Sequence, residues 1–274
     1  MSISLLLQAI FSGLTNGFIY ALVGMGVAVT FKGSRVVNAA QGEFSVLAAL
    51  VAVFAMKAFD FSYPVAFIAG IAAGMAVGVL IELLLVRPMV RRHAGEDSLL
   101  LLTIGIAFAA SAAFLYFGGR DFHVLPSIGS EDVELVLDAA IRHHAVWLMV
   151  ISVLVVIALR WFYHHTTLGL AMMAASIDPV GAATTGINVG LMRTLTFSLG
   201  GLLGSLAGLL IAPLVPVTYT TGLIFTLKGF CAAILGGLGN PIGAVLGGLT
   251  LGLLESLSIV FIASATRMWS RSDR

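Results

Sequence analysis

Apolar run follows apolar run from one end of this chain to the other, at 5–31, 42–58, 64–86, 98–117, 146–163, 194–216, 222–238 and 241–262. A helix rises 1.5 Å per residue, so about 20 consecutive apolar residues cross the ~30 Å hydrocarbon layer of a bilayer. Because such runs recur along the whole length, the chain is predicted to be all-α, a polytopic transmembrane helical bundle of about eight spans, with 222–238 the least clearly bounded. Composition agrees, since 59% of the 274 residues are hydrophobic, 10% are charged and mean hydropathy is +1.08, beyond what a soluble core requires. Residues 1–274 read as a single integral membrane domain. The net charge of +1 carries no nucleic-acid footprint. A lone cysteine, Cys231, leaves no partner for an internal disulfide or a cysteine-based metal site. The first basic side chain, Lys32, follows the first apolar run, so a cleaved signal peptide is not expected.

Short loops that gather Lys and Arg face the cytoplasm. Lys32 and Arg35, then Arg87, Arg91 and Arg92, then Arg160 and Arg193 mark three such loops. The N-terminus then starts outside, Asp60 to Pro64 is an outer turn and Gly118 to Ala145 an outer loop. Tyr63, Trp147, Trp161 and Tyr163 fall at span ends, where interfacial aromatics belong. In the outer loop, "SEDVELVLDAAIRHH" has acids first and bases last, as a surface helix would, yet Val133, Leu135 and Leu137 alternate as in a strand; both remain open.

Three runs carry glycine at every fourth position: Gly70, Gly74 and Gly78; Gly200, Gly204 and Gly208; Gly239, Gly243 and Gly247. Lipid is as apolar as leucine, so helices in a bilayer associate by close backbone approach, and such stripes predict tight packing. They say little about a solute. Two stretches break the apolar pattern with Asn beside glycine, "RVVNAAQGEF" at 35–44 and "ILGGLGNPIGAV" at 234–245. A broken span leaves peptide groups that are tolerable only inside protein or along a wet cavity. Paired breaks in two halves point to a transport path built from an internal inverted repeat. Asn38, Gln41, Gly42, Glu43 and Asn240 are therefore the path candidates. For Gly239-Asn240-Pro241 an ordinary loop between spans explains the sequence better.

Charged groups at depth cost about 3 kcal/mol each on insertion scales and need a partner, a cavity or an interface. Glu82, close to Arg87, reads as half of an interfacial ion pair. Glu43 is the best candidate to line a pathway. Lys228 and Glu255 are predicted to pair across two helices. No H-E-x-x-H, G-x-S-x-G or phosphate-binding G-x-x-x-x-G-K-[ST] occurs, and no metal site or cofactor is expected. The adjacent pairs His143-His144 and His164-His165 point to different helix faces and suit structural or solvated roles better than ligation. With no nucleotide loop and no chain of intramembrane carboxylates, any driving energy must come from a partner.

Residues 164–193 form an insert between spans. Leu168 to Ile177 is short and weakly amphipathic, Asp178-Pro179 supplies an N-cap followed by proline at the first helical position, and Gly186 a stop. The segment predicts helix, corner, helix. From these residues a docking element for an external motor and a connector lying on the membrane surface remain equally open.

The blocks "GLTNGFIYALVGMGVAVTFKGSRVVNAAQGEF", "TTLGLAMMAASIDPVGAATTGINV" and "LKGFCAAILGGLGNPIGAVLGGLTLGLLES" resemble the permeases of bacterial branched-chain amino acid ABC transporters, in their shorter branch. The likeness covers about residues 4 to 260, and Asn38, Gly42 and Glu43 match the family's N-x-x-x-G-E block. The resemblance implies a non-enzymatic importer subunit in the bacterial inner membrane, with a fold similar to ribose and vitamin B12 permeases. A second homologous permease, two ABC ATP-binding subunits and a periplasmic solute-binding protein would be its partners. Branched-chain amino acids, or urea and short amides, would be its solutes. It also implies that Ala174, Asp178, Pro179 and Gly186 couple the permease to an ATPase subunit. A self-contained channel or secondary carrier is the alternative function. Two features depart from the family: Gln41 stands where many members have histidine, and the chain ends in "ATRMWSRSDR" where members continue into a further span. The expected topology puts Arg267, Arg271 and Arg274 outside, so either 222–238 is re-entrant or a final helix is absent.

Overall fold

The computed structural model describes residues 3–127, 133–136 and 139–272. Eleven α-helices, one short π-turn and one small hairpin make up these residues. The helices are α1 (Ile3–Ser34), α2 (Gln41–Phe59), α3 (Tyr63–Ile81), α4 (Arg87–Arg91), α5 (Glu96–Gly118), α6 (His143–His165), α7 (Thr167–Ile177), α8 (Pro179–Thr184), α9 (Val189–Ile211), α10 (Thr221–Gly236) and α11 (Pro241–Ser272). Seven of them are long and apolar enough to cross a membrane. The eighth expected run is α10, whose 16 residues rise about 24 Å, short of a full hydrocarbon layer. This chain is a multi-pass membrane protein.

The loop before α6 resolves the choice between strand and surface helix. Val133–Val136 (β1) pairs antiparallel with Ala139–Arg142 (β2), Val133 opposite Arg142. Leu137 lies outside the described residues. The hairpin is tied to the bundle by Gln8, which donates to the Ala140 carbonyl at 3.2 Å and accepts from its N–H at 2.8 Å. At the same end His123 and Val217 exchange two backbone hydrogen bonds, of 3.0 and 2.9 Å.

Helices α1 and α9 are the most enclosed spans, and α5 and α6 lie at the periphery. The glycine stripes explain the centre. A Cβ on Gly70 would sit 2.8 Å from the Ala48 carbonyl oxygen of α2. Gly74 and Gly78 let α3 lie directly on Ser205 and the Phe197 carbonyl of α9. On the adjacent face of α9, Gly200, Gly204 and Gly208 face Thr30 of α1 and Gln41, Phe44 and Ser45 of α2. Gly243 and Gly247 close α11 onto α10 at Gly236 and Ala232. Gly239 does not belong to that stripe. It lies in the turn before α11 begins at Pro241, and nothing stands within 4 Å of the position its Cβ would take.

Between α3 and α4 the chain makes the π-turn Glu82–Val86, in which the Arg87 N–H reaches the Glu82 carbonyl five residues back. Pro88 has no N–H to give and its ring crowds the preceding turn, and a locally widened helix relieves both. The wider turn also brings Glu82 and Arg87 onto one side. In a regular α-helix residues five apart are separated by about 140°. Glu82, fully buried, is bound by Arg87 at 3.1 Å, by Arg193 of α9 at 3.0 Å and by the Thr194 hydroxyl at 2.8 Å. The expected pair is thus a cluster that locks α3 to the start of α9.

Candidate functional site

The two sequence breaks fold into different things. Residues 237–240 form an exposed tight turn, with Gly237 at φ +91° and the Asn240 N–H bonded to the Gly237 carbonyl at 2.8 Å. A left-handed φ there suits glycine. Asn240 borders a cavity of about 200 Å³ with Lys32, Arg160, Tyr163 and His164, which none of the other path candidates lines. Residues 35–40, by contrast, are an irregular segment inside the bundle, and Asn38, Gln41 and Glu43 beside it are buried.

Several peptide groups freed by the 35–40 break find side-chain or backbone partners. Arg35 adopts φ +58° and closes α1 with its N–H on the Phe31 carbonyl at 2.8 Å. Asn38 turns back on its own backbone, accepting the Ala40 N–H at 3.1 Å. Thr103 of α5 accepts from the Ala39 N–H at 3.1 Å and lies 3.0 Å from the Val37 carbonyl. Thr226 of α10 accepts the Gly42 N–H at 2.8 Å. Gln41 spans from α2 to the Gly200 carbonyl of α9 at 2.8 Å, lying over Gly26 of α1. Four helices therefore converge on the break, and any movement among them changes its geometry. Sequence reasoning missed Thr103, Thr226 and Ser111. Their signal was available: each is a hydroxyl in an otherwise apolar run, where it must find a buried partner.

Glu43 occupies the first turn of α2, where the positive end of the helix dipole favours an anion. Its Oε1 accepts from Ser111 of α5 at 3.2 Å, and Ser111 also lies 3.1 Å from the Tyr219 carbonyl. Its Oε2 is buried without a hydrogen-bond partner. Beside the break runs an apolar groove of about 310 Å³, floored by Val37 and Ala39 and walled by Leu100, Ile104 and Phe108 of α5 and by Leu223 and Phe230 of α10.

Lys228 and Glu255 do pair, as their sequence positions suggested, between α10 and α11. Tyr20 of α1 completes the group: its hydroxyl donates to Glu255 at 2.8 Å and accepts from Lys228 at 2.7 Å. Replacing Lys228 by Met or Glu255 by Gln alone is expected to lower thermal stability by several degrees in detergent. The double variant should lie closer to wild type, because an unpaired embedded charge costs more than an absent pair. A double variant no better than the worse single would show that the contact is incidental.

The segment after α6 folds as helix, corner, helix. Thr166 caps α7, accepting the Gly169 N–H at 3.0 Å, and Asp178 caps α8, accepting the N–H groups of Val180 and Gly181 at 3.1 and 2.9 Å. Gly186 ends the corner at φ +87°. Met172, Ala175 and Ala182 anchor the unit in the core. Arg35 ties it to the break by donating to the Ser176 carbonyl at 3.3 Å. Its tip is apolar and bare, with Ile177 71% and Val180 75% exposed on either side of Asp178 and Pro179, while Ala174 is half-buried.

A multi-pass helical bundle in which an irregular segment between two spans lies buried among the others has the form of a membrane transport permease. Comparison narrows this. The family model described as the permease component of branched-chain amino acid transport systems matches residues 9–271, and the chain belongs to that family. It is 30% identical over 275 residues to the high-affinity branched-chain amino acid transport permease LivH of Salmonella typhimurium, covering 94% of this chain and 87% of the relative. The probable branched-chain permease LivH of Methanocaldococcus jannaschii is 28% identical over 251 residues, 89% of this chain and 78% of the relative. The ribose import permease RbsC of Escherichia coli shares 34% over 131 residues, 45% of this chain and 40% of the relative.

Proposed function

We propose that the protein is one of two permease subunits of an ATP-driven importer for branched-chain amino acids in the bacterial inner membrane. A homologous permease would supply the other half of the path, two ABC ATP-binding subunits the power, and a periplasmic solute-binding protein the cargo. The family and the branched-chain amino acid transport for which its relatives are named support the solute class. The single structural observation that carries the coupled reading is the corner at Ile177–Val180, a rigidly capped apolar tip anchored in the core. Fully burying two such side chains against a partner contributes about 1.5–3 kcal/mol each. The hydrogen bond from Arg35 to Ser176 supplies a physical route by which force on the tip reaches the buried segment between α1 and α2. Movement of the surrounding helices would open the break region first to one side and then to the other. Asn38, Gln41, Gly42 and Glu43 would border that path, Asn240 a separate opening, and Ala174, Asp178, Pro179 and Gly186 the ATPase contact.

Replacing 178–186 by a flexible Gly/Ser linker is expected to abolish co-purification with the ATP-binding subunits while the permease still elutes as a folded species. Retained association would remove the coupling role of the corner and favour a self-contained channel or carrier. Asp178→Ala should weaken the corner by about 1 kcal/mol and reduce the coupled ATPase rate without abolishing association.

A further inference from the structure

We propose that Glu43 recognises the ammonium group of the solute in transit, with the apolar groove between α5 and α10 receiving the solute's side chain; this rests on the importer reading above. Apart from Glu96 and Asp97 in the exposed first turn of α5, the described spans hold three carboxylates, and two of these have basic partners. Glu82 is held by Arg87 and Arg193, and Glu255 by Lys228. Among the described residues Glu43 has no ion pair, although it is only 4% exposed. One oxygen accepts from Ser111, and the other, Oε2, is buried with no donor at all.

What holds an unpaired carboxylate there is the backbone around it. Glu43 lies in the first turn of α2, and its carboxyl group presses on the first turn of α10, since a Cβ on Gly222 would stand 2.5 Å from the carboxyl carbon and both oxygens. The positive ends of two helix dipoles thus converge on the anion. They stabilise its charge and supply no cation for Oε2.

The lining of the groove ends within one helical turn of this point. Ser111 follows Ala107 and Phe108 by one turn of α5, and Gly222 directly precedes Leu223 of α10; Ala107, Phe108 and Leu223 line the groove. An anion just beyond one end of an apolar trough of about 310 Å³ is complementary to a small molecule with an ammonium group at one end and a branched aliphatic chain at the other. A neutral amide would satisfy the carboxylate less well, because hydrogen bonds between two ionised groups are the stronger kind. Access requires α5 to move from α10, and α5 is the span best placed for it: only Leu99, Thr103 and Ala107 of its residues are buried.

The test uses the permease assembled with its partner subunits in nanodiscs and measures binding of tritiated leucine. Competitors are isopentylamine, which keeps the ammonium and loses the carboxylate, 4-methylpentanoate, which does the reverse, and urea. Isopentylamine is expected to compete at least about tenfold better than either of the others in the wild type. Glu43→Gln should weaken leucine binding by about tenfold or more and erase the preference for the amine, whereas Ser111→Ala should keep that preference. Wild-type protein that binds no leucine, or binds the acid or urea as well as the amine, overturns the proposal, as does Glu43→Gln with unchanged affinity and selectivity. If Glu43→Gln does not fold, the wild-type competition pattern decides alone. Co-purification of the ATP-binding subunits is scored separately, so failure of the importer reading is distinguishable from failure of the Glu43 assignment.

Discussion

Gly208→Leu is expected to eliminate folded protein from the membrane fraction, read as loss of the monodisperse peak in fluorescence-detected size-exclusion chromatography. Gly208 lies where α9 rests on the backbone of α2, and a side chain there would overlap the Ser45 carbonyl group, which cannot rotate aside. Accommodating leucine requires α9 to withdraw from α2 as a unit. Withdrawal would also pull apart the bonds one and two turns along the same contact, Ser45 Oγ to the Gly204 carbonyl and Gln41 to the Gly200 carbonyl, each 2.8 Å. In a bilayer no hydrophobic gain compensates, because lipid solvates the separated faces equally well. Gly239→Leu is the matching control. That glycine stands in an exposed turn with nothing within 4 Å, and the variant should elute like wild type. Equal behaviour of the two variants would remove the close-packing account of the glycine stripes.

Glu82→Gln is expected to destabilise the protein by about 3 kcal/mol, measured as a lowered denaturation midpoint in detergent. The fully buried carboxylate accepts from both Arg87 and Arg193 and from the Thr194 hydroxyl. A carboxamide keeps one acceptor oxygen, turns an N–H₂ toward a guanidinium and leaves two arginines with no counter-charge. Removing one member of a buried ionic cluster costs more than removing all of it, because the remaining charges stay desolvated. The same residue ends α3 and orients the chain through the π-turn into α4, so the variant should also loosen the α3–α9 contact. A midpoint within error of wild type would mean that the arginines reach water when Glu82 is gone.

Much of this architecture was legible in the chain. Runs of about 20 apolar residues gave the spans, since only a helix can satisfy its own peptide groups in lipid. The corner at Asp178, Pro179 and Gly186 was legible for a local reason: an N-cap, a first-turn proline and a left-handed stop act within a few residues of themselves. The pairing of Lys228 with Glu255 followed from the cost of leaving either alone at depth.

The two breaks show where local reading stops. "NAAQGEF" and "GGLGNP" carry similar punctuation, yet one is sealed in the bundle and the other is an exposed turn. What separates them is contact with residues far along the chain, Ala39 with Thr103, Gly42 with Thr226 and Glu43 with Ser111. Sequence alone thus determined that the chain is a series of apolar helices, broadly where the long ones run and which glycines are available for close approach, because those follow from periodicity, solvent and short-range caps. Only the tertiary structure decided which glycine faces which helix, that Gly239 takes no part, and that the buried Glu43 is left without a counter-charge. Those outcomes depend on how the helices are rotated and crossed against one another, and that is set by the packing of the whole bundle at once.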